Sequence, residues 1–536
     1  MDSLKEIFCT HQSEKIYKGG VSRRKFVSSL AATVMLTPYA FSIVDSALAI
    51  TPRKKGKFRL GMGHGSTTDS LDPATYENDM MAHIACSWGN QLTEINNKGQ
   101  LIPELAENFE SNDGKKWFFK LRKGVEFHNG KTLDSNDIIA TINYHRDESS
   151  KSAAKGHLES IKSIIKDSKY TVLFELKSAN ADFPYILSDY HFGIMPAKDG
   201  IINPTSGIGT GGYVLQTWEP GIRFEAKRNL NYFKDDKAHF DEIEILSIID
   251  LGARQSALMN GDVDVVDRLS TQTVGLITLN PNISILEKTG TLHYAFPMRL
   301  DSAPFNNFDL RMAIKLSVKR QELIDKILFG HGTLGNDIPL SKANRFLAAS
   351  LSQREFDLEK AAMHYKKSGH SGKIQLSCSE AAFDGAVDAA QLIAASAKEV
   401  GMKIEVVREP QDAYWSNVWN KKGWTACFWS GRPTADWMFT TAYVDSTEWN
   451  DTAWKNTNDA KKFNRLVKEA RSELDIERRA ILYHEAQVLL HNDGGALIPM
   501  FANHIMGLSK KIGHSKDVAA NSNLDGHKAC ERWWFV

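Results

Sequence analysis

Apolar and polar residues alternate in short runs and recur at helical spacing in longer ones along the chain after residue 50. Alternation marks half-buried strands, and a recurrence near 3.6 residues marks amphipathic helices. Strands are predicted at 57–62, 117–122, 170–176, 213–218 and 223–227, with a longer apolar one at 243–249 and an alternating one at 262–266. Asp113-Gly114 separates Phe109-Glu110 from 117–122, and Asn129-Gly130 and Pro220-Gly221 supply further tight turns. Asp134 or Ser135 caps a helix running through Ile142, and Asp182-Phe183-Pro184 opens another helical segment. Residues 252–260 read as a helix stopped by Gly261, and 310–329 as one ended by Gly330. Helices at 356–368 and 386–400 are each followed by a glycine and then by a strand, at 373–377 and 403–407. Residues 458–492 read as helical up to Gly494-Gly495. Strands and helices mix throughout, so the class is α/β or α+β.

Length and composition narrow the class. A chain of 536 residues exceeds one hydrophobic core, so two or three domains are expected. With 42% hydrophobic and 24% charged residues the chain is globular, and a net charge of +1 gives no field for nucleic acid. Ser22-Arg23-Arg24-Lys25-Phe26-Val27 is a twin-arginine pattern, followed by an apolar run at 27–44 and by Ala47-Leu48-Ala49. These predict a twin-arginine export signal over residues 1–49, cleaved before Ile50, and a mature chain free in a bacterial periplasm. Ser28, Ser29, Thr33, Thr37 and Pro38 interrupt the run and argue against a permanent span. Cys86, Cys378, Cys427 and Cys530 have no CxxC spacing, so no zinc ribbon or redox motif is expected.

One stretch stands out chemically. In Cys427-Phe-Trp-Ser-Gly-Arg-Pro-Thr-Ala-Asp-Trp-Met-Phe439 a strand-like run ends at Gly431-Arg432-Pro433, and Asp436 follows between Trp429 and Trp437. Gly, Pro and Thr force a turn that displays one Arg and one Asp beside flat apolar surface. Arg432 suits a carboxylate or phosphate through its bidentate fork, or it forms a structural bridge with Asp436. Tyr414, Trp415, Trp419 and Trp424 form an aromatic cluster before this turn, suited either to the core or to a cleft wall. Gly65, Ser66 and Thr67 sit in the first loop after a strand, where backbone groups can reach a ligand.

Other motifs carry little. Gly207-Ile-Gly-Thr-Gly-Gly212 has dinucleotide-site spacing but precedes a strand, not a helix. No G-x-S-x-G occurs, and His484-Glu485 lacks the second histidine of a zinc protease. His527 and Cys530 are a weak metal pair, so neither a metal nor another cofactor is expected.

Five segments, in order, resemble the periplasmic solute-binding proteins of bacterial ABC importers, in the dipeptide, oligopeptide and nickel class. They are Leu71-Asp72-Pro73; Pro103-Glu-Leu-Ala106 with 117–130; Gly209-Thr-Gly-Gly-Tyr213 with Arg228-Asn229 and Tyr232; Ala253-Arg254 with Gly261-Asp262-Val-Asp264; and Pro304-Phe305 with Asp309-Leu-Arg311 and Ala313. A weaker echo is Phe356-Asp-Leu-Glu-Lys360. The resemblance implies an α/β, two-lobed periplasmic binding protein fold with an inserted domain, three domains in all and a hinge between the lobes. Lobe I would take 50–82, 206–290 and 496–536, the inserted domain 83–205, and lobe II 291–495. It implies a monomeric, non-enzymatic receptor that hands a short peptide or a peptide-like amino-acid conjugate to an inner-membrane ABC permease, after export by the twin-arginine translocase. An opine, a sugar or a metal chelate is the alternative, and a secreted hydrolase is disfavoured. Peptide-binding members carry an Asp for the peptide amino group on the loop that aligns with 429–439. Here Gly431 takes that place and Arg432 follows, which puts ordinary peptide specificity in question. The expected ligand contacts are Gly65, Ser66, Thr67, Tyr414, Trp415, Trp429, Gly431, Arg432 and Asp436.

Overall fold

The structure is a computed structural model that describes residues 52–411 and 414–536. The export signal read from the sequence lies outside these residues.

A nine-stranded sheet organises the chain. Its order is Tyr213–Glu219, Arg223–Arg228, Glu242–Ser247, Lys57–Met62, Val265–Val266, Met500–Ser509, Ile283–Ala295 and Cys427–Trp429, with Gly332–Leu334 also paired to Met500–Ser509. Lys57–Met62 runs parallel to Glu242–Ser247, and its Phe58, Leu60 and Met62 are fully buried on the core face. That burial is the cause of the alternation seen in the sequence.

Two long antiparallel strands, Ile283–Ala295 and Met500–Ser509, join the two ends of this sheet. At one end Met500–Ser509 pairs with Val265–Val266, and at the other Ile283–Ala295 pairs with Cys427–Trp429. The register slips between Thr289 and His293. Gly290 sits at the slip, where a Cβ would stand 2.3 Å from His504 Nε2, so a larger residue would have to push the His504 ring aside. The flanking cores are distinct. Phe58, Tyr213 and Ile245 belong to one, while Phe296, Leu376 and Ile393 belong to another. Strands that cross between two cores with a break in their ladder are where a hinge can act.

Residues 92–194 form a further core around Phe119, Phe174 and Phe183. It packs behind an antiparallel sheet of Ala106–Glu110, Lys116–Leu121, Thr171–Leu176 and Ile161–Ser168. Helix Ser135–Arg146 covers it and starts with a capping box of Asp134 and Asp137, the cap expected from sequence.

Three expectations change. The helix expected over 310–329 is two, Phe308–Leu316 and Arg320–Ile327. The turn lets the Arg320 guanidinium reach Asp337 Oδ2 at 2.9 Å, while Lys315 Nζ donates to Gly494 O at 2.7 Å. The helix expected over 458–492 is also two, Asn458–Ser472 and Ile476–Asp493, because Asp475 caps the second. The strand expected over 262–266 shrinks to Val265–Val266.

Candidate functional site

A cavity of about 940 Å³ lies where the three cores meet. Asp79, Arg268, His504 and His527 line it on the side of the Lys57–Met62 core. Asp189, Tyr190 and His157 line it from the 92–194 region, and Tyr294, Phe383, Phe428, Arg432 and Trp437 from the opposite wall. The volume suits a small solute.

The 429–437 turn is fixed from both ends. His293 of the long strand pairs with Trp429, and the indoles of Trp419 and Trp429 donate to Asp451 at 2.9 and 2.6 Å. Gly431 follows with a φ of +79°, its Cα so close to Thr291 that an added Cβ would stand 2.2 Å from the Thr291 Cβ. Helix Ala435–Ala442 then begins, capped by Thr434, whose hydroxyl accepts the Trp437 N–H at 3.1 Å. Gly431→Ala should therefore shift the turn, weaken solute binding and lower stability by about 1–3 kcal/mol, which denaturant titration reads.

Arg432 is half-buried and lines the cavity. Its guanidinium lies over the Trp429 ring, 5.6 Å from the centroid, and Nη1 donates to Gly431 O at 2.7 Å. Among the described residues no carboxylate forms an ion pair with it. Burial lowers its pKa, with Asp189 and Tyr190 acting in the other direction.

Asp436 does not bridge to Arg432. It is buried, and both its oxygens face Arg471 Nε, at 3.0 and 3.1 Å. Burial pushes its carboxyl up to about 6 despite Arg471. The alternative left open by the sequence is thus resolved against an Arg432–Asp436 pair: the side chain of Asp436 is spent behind the cavity wall.

The remaining expected residues divide. Tyr414 is buried and its hydroxyl donates to Ala426 O at 2.7 Å. Trp429 is a core residue, although its ring carries Arg432. Trp415 is exposed and stands edge-on to Phe428, which lines the cavity. Gly65 lies against Ser247, and Ser66-Thr67 pack under the Gly221 turn. Of the nine residues expected at the ligand, Gly431 and Arg432 are brought to the cavity lining.

Other lining residues escaped the sequence reading. Arg268 stands 2.6 Å from Asp79 and adopts a φ of 47°. His527 ends a left-handed turn in which Leu524, Asp525 and Gly526 also have positive φ. Asp525 holds that turn by accepting the Ala519 N–H at 2.7 Å and an Arg532 N–H at 3.0 Å. Strain of this kind persists only where its surroundings fix it. The nearest sequence signal is the polar-aromatic run Asp189-Tyr190-His191, in which Asp189 lies 2.5 Å from His191 Nδ1 and is held near 2. His527 and Cys530 face different partners, Ser522 Oγ and His83 Nε2.

Glu94, Glu104 and Glu531 bring buried carboxylate oxygens within 4.8 Å of one another, a spacing open to a metal ion. Lys234, Lys528 and Arg532 already match their charge: Lys234 Nζ lies 2.5, 2.8 and 2.9 Å from the three, Lys528 Nζ 2.7 Å from Glu104, and Arg532 Nη2 2.8 Å from Glu94. The residues do not fit a resident cation.

Comparison with known proteins gives this geometry a context. The family model described as bacterial extracellular solute-binding proteins, family 5 Middle, matches residues 100–451. A di/tripeptide-binding protein of Pseudomonas aeruginosa is 23% identical over 493 residues, covering 84% of this chain and 90% of that protein. A heme-binding protein A of Haemophilus influenzae is 25% identical over 438 residues, covering 75% and 79%. The solved structure of HbpA2 from Haemophilus parasuis superposes with a TM-score of 0.75 at 21% identity, covering 85% of this chain and 96% of that one. The fold is accordingly the multi-domain, two-lobed periplasmic binding protein fold. Among the described residues no helix is long and apolar enough to cross a membrane. The match of the family model over residues 100–451 places the chain in family 5 of the bacterial extracellular solute-binding proteins.

Proposed function

We propose that the chain is the periplasmic receptor of an ABC importer for short peptides or peptide-like amino-acid conjugates, and that Arg432 receives a carboxylate of the solute. Arg432 carries this reading: a half-buried guanidinium in the cavity wall, preset on Trp429, with a backbone carbonyl and no carboxylate as its partner. A charge so placed is incomplete without an anion. The name of the di/tripeptide-binding relative agrees with a peptide-like solute and that of the heme-binding relative with a non-peptide one, and an inner-membrane permease and export by the twin-arginine route complete the role. The second reading is a non-peptide solute such as an opine, a sugar or a metal chelate. It is favoured by the engagement of Asp436 with Arg471, which takes away the one acid on the turn that could meet a free amino group.

The test is a thermal-shift titration with a mixture of free di- and tripeptides, the same mixture as C-terminal amides, and a panel of opines, sugars and nickel chelates. A ligand that binds only the folded state raises the melting temperature. Free peptides should stabilise the protein and amides should not. Arg432→Ala should weaken the free peptides at least ~30-fold, the low end of losing a charged partner. A shift with the panel but not with peptides selects the second reading, and a shift with amides equal to that with free peptides removes Arg432 from its role.

A further inference from the structure

The 92–194 region touches the wall that carries Arg432 directly behind the cavity. Asp182 Oδ1 lies 2.7 Å from Arg479 Nη2, and the two side chains are only 6% and 5% exposed. Beside them the Ala181 N–H donates to Arg471 O at 2.7 Å. Arg471 is also the residue whose Nε holds Asp436. Three residues after Asp182 and one after Asp436, Tyr185 and Trp437 line the cavity, and Trp437 meets the His157 ring edge-on at 4.5 Å. One ion pair, Asp182 with Arg479, and one backbone hydrogen bond, Ala181 to Arg471, therefore cross between units with separate cores.

From this we infer that Asp182 and Arg479 form an interlobe latch, which closes the receptor before any solute arrives. The observations go beyond the transport role proposed above and do not depend on which solute is carried. Both halves are preset. Arg479 lies over the rings of Phe346 and Tyr483, 5.0 and 5.7 Å from their centroids, and its Nε donates to Ala470 O at 3.1 Å. The Asp182 N–H donates to Asn180 Oδ1 at 2.9 Å, and Asn180 O accepts the Trp117 indole at 3.2 Å. Little side-chain freedom is lost when such halves meet. The latch is also imperfect. Asp182 Oδ2 is buried with no hydrogen-bond partner, and Arg479 Nη2, though 2.7 Å from Oδ1, is buried without a well-directed hydrogen bond, a cost that opening to water removes. A closed state held by a close ion pair but charged for two unsatisfied polar atoms stays in reach of the open one. Rotation about the slip at Thr289 and His293 would separate the pair. Arg432 and Asp436 share one turn, so an anion on Arg432 and the latch bias the same closure.

The experiment needs no solute. Spin labels at Glu107 and Lys468, both exposed, report the separation of the two units by pulsed distance measurement, on protein unfolded and refolded to strip any co-purified small molecule. The wild-type protein should show a dominant short distance. Asp182→Asn and, separately, Arg479→Gln should each lower the closed-to-open ratio at least tenfold. The charge swap Asp182→Arg with Arg479→Asp should restore the short distance, which a merely structural contact would not do. An unchanged distribution in both single variants overturns the latch. So does a wild-type protein that is open without solute, or a swap that folds by circular dichroism yet stays open.

Discussion

Glu104→Ala should cost about 3–5 kcal/mol of folding stability, the range for removing one partner from a buried ion cluster. Glu104 is fully buried and serves four donors. Lys234 Nζ, Lys528 Nζ and Asn90 Nδ2 reach Oε1 at 2.8, 2.7 and 2.8 Å, and the Gln91 N–H reaches Oε2 at 3.0 Å. Without it two ammonium groups, Lys234 and Lys528, share fewer carboxylates in a largely buried space. Glu104→Gln keeps the shape and removes only the charge, so a similar loss there assigns the effect to electrostatics rather than to a cavity. Urea titration of both variants checks this, with the midpoint falling and the slope unchanged. A loss below ~1 kcal/mol in both would mean the cluster is hydrated. The cluster joins the C-terminal segment, through Lys528, Glu531 and Arg532, to Glu94 and Glu104 and to Lys234. The Pro103-Glu-Leu-Ala106 motif thus owes its acid to a junction between segments and not to the solute.

Local signals were legible in the sequence, and non-local ones were not. Asp134, Gly261 and Gly369 mark helix ends where the structure has them, because caps act within one turn of chain. The strand Ile283–Ala295 gave no such signal. Its residues face two cores in succession and its register slips midway, so burial follows no period of two. The break between Asn458–Ser472 and Ile476–Asp493 was masked by helical spacing on both sides. At the cavity, Gly431-Arg432 was readable because glycine and proline punctuate the turn. Helix Ala435–Ala442 was not, since Thr434 is a modest cap in an aromatic run. The fate of Asp436 depended on Arg471, 35 residues away. Asp79, Asp189 and His527 come together only through the fold, from segments more than a hundred residues apart.

Stability should fall steeply as pH drops from about 6.5 towards 4. Burial holds His83 near 3 and His145, His293 and His504 near 4, and each has a buried ring nitrogen with no hydrogen-bond partner. His239 and His491 are also held near 4, again chiefly by burial. A histidine kept neutral in the folded state contributes stability above its unfolded value. That stability is lost as pH falls through the window down to its folded value, because the unfolded chain takes up the proton first. Five acids and one histidine act in the opposite sense: burial raises Asp264 and Glu104 as well as the three below, and, against burial, Asp189 raises His191. Burial raises Asp267 and Asp436 to about 6 and Asp451 to about 7, so their protonation favours the folded chain as pH falls. At pH 5 each neutral histidine costs about 2 kcal/mol relative to pH 7, and each raised acid returns about 1–2 kcal/mol. The six histidines outweigh these groups, and the net loss is a few kcal/mol, a large share of the whole stability of many domains. Urea midpoints measured from pH 7 to 4 should fall most between 6.5 and 5. His504→Gln, which cannot take up a proton, should flatten the curve by about 2 kcal/mol at pH 5. A midpoint that holds or rises over that interval would mean that the buried histidines gain proton acceptors or water on acidification, and that the carboxyls Asp267, Asp436 and Asp451 set the acid response instead.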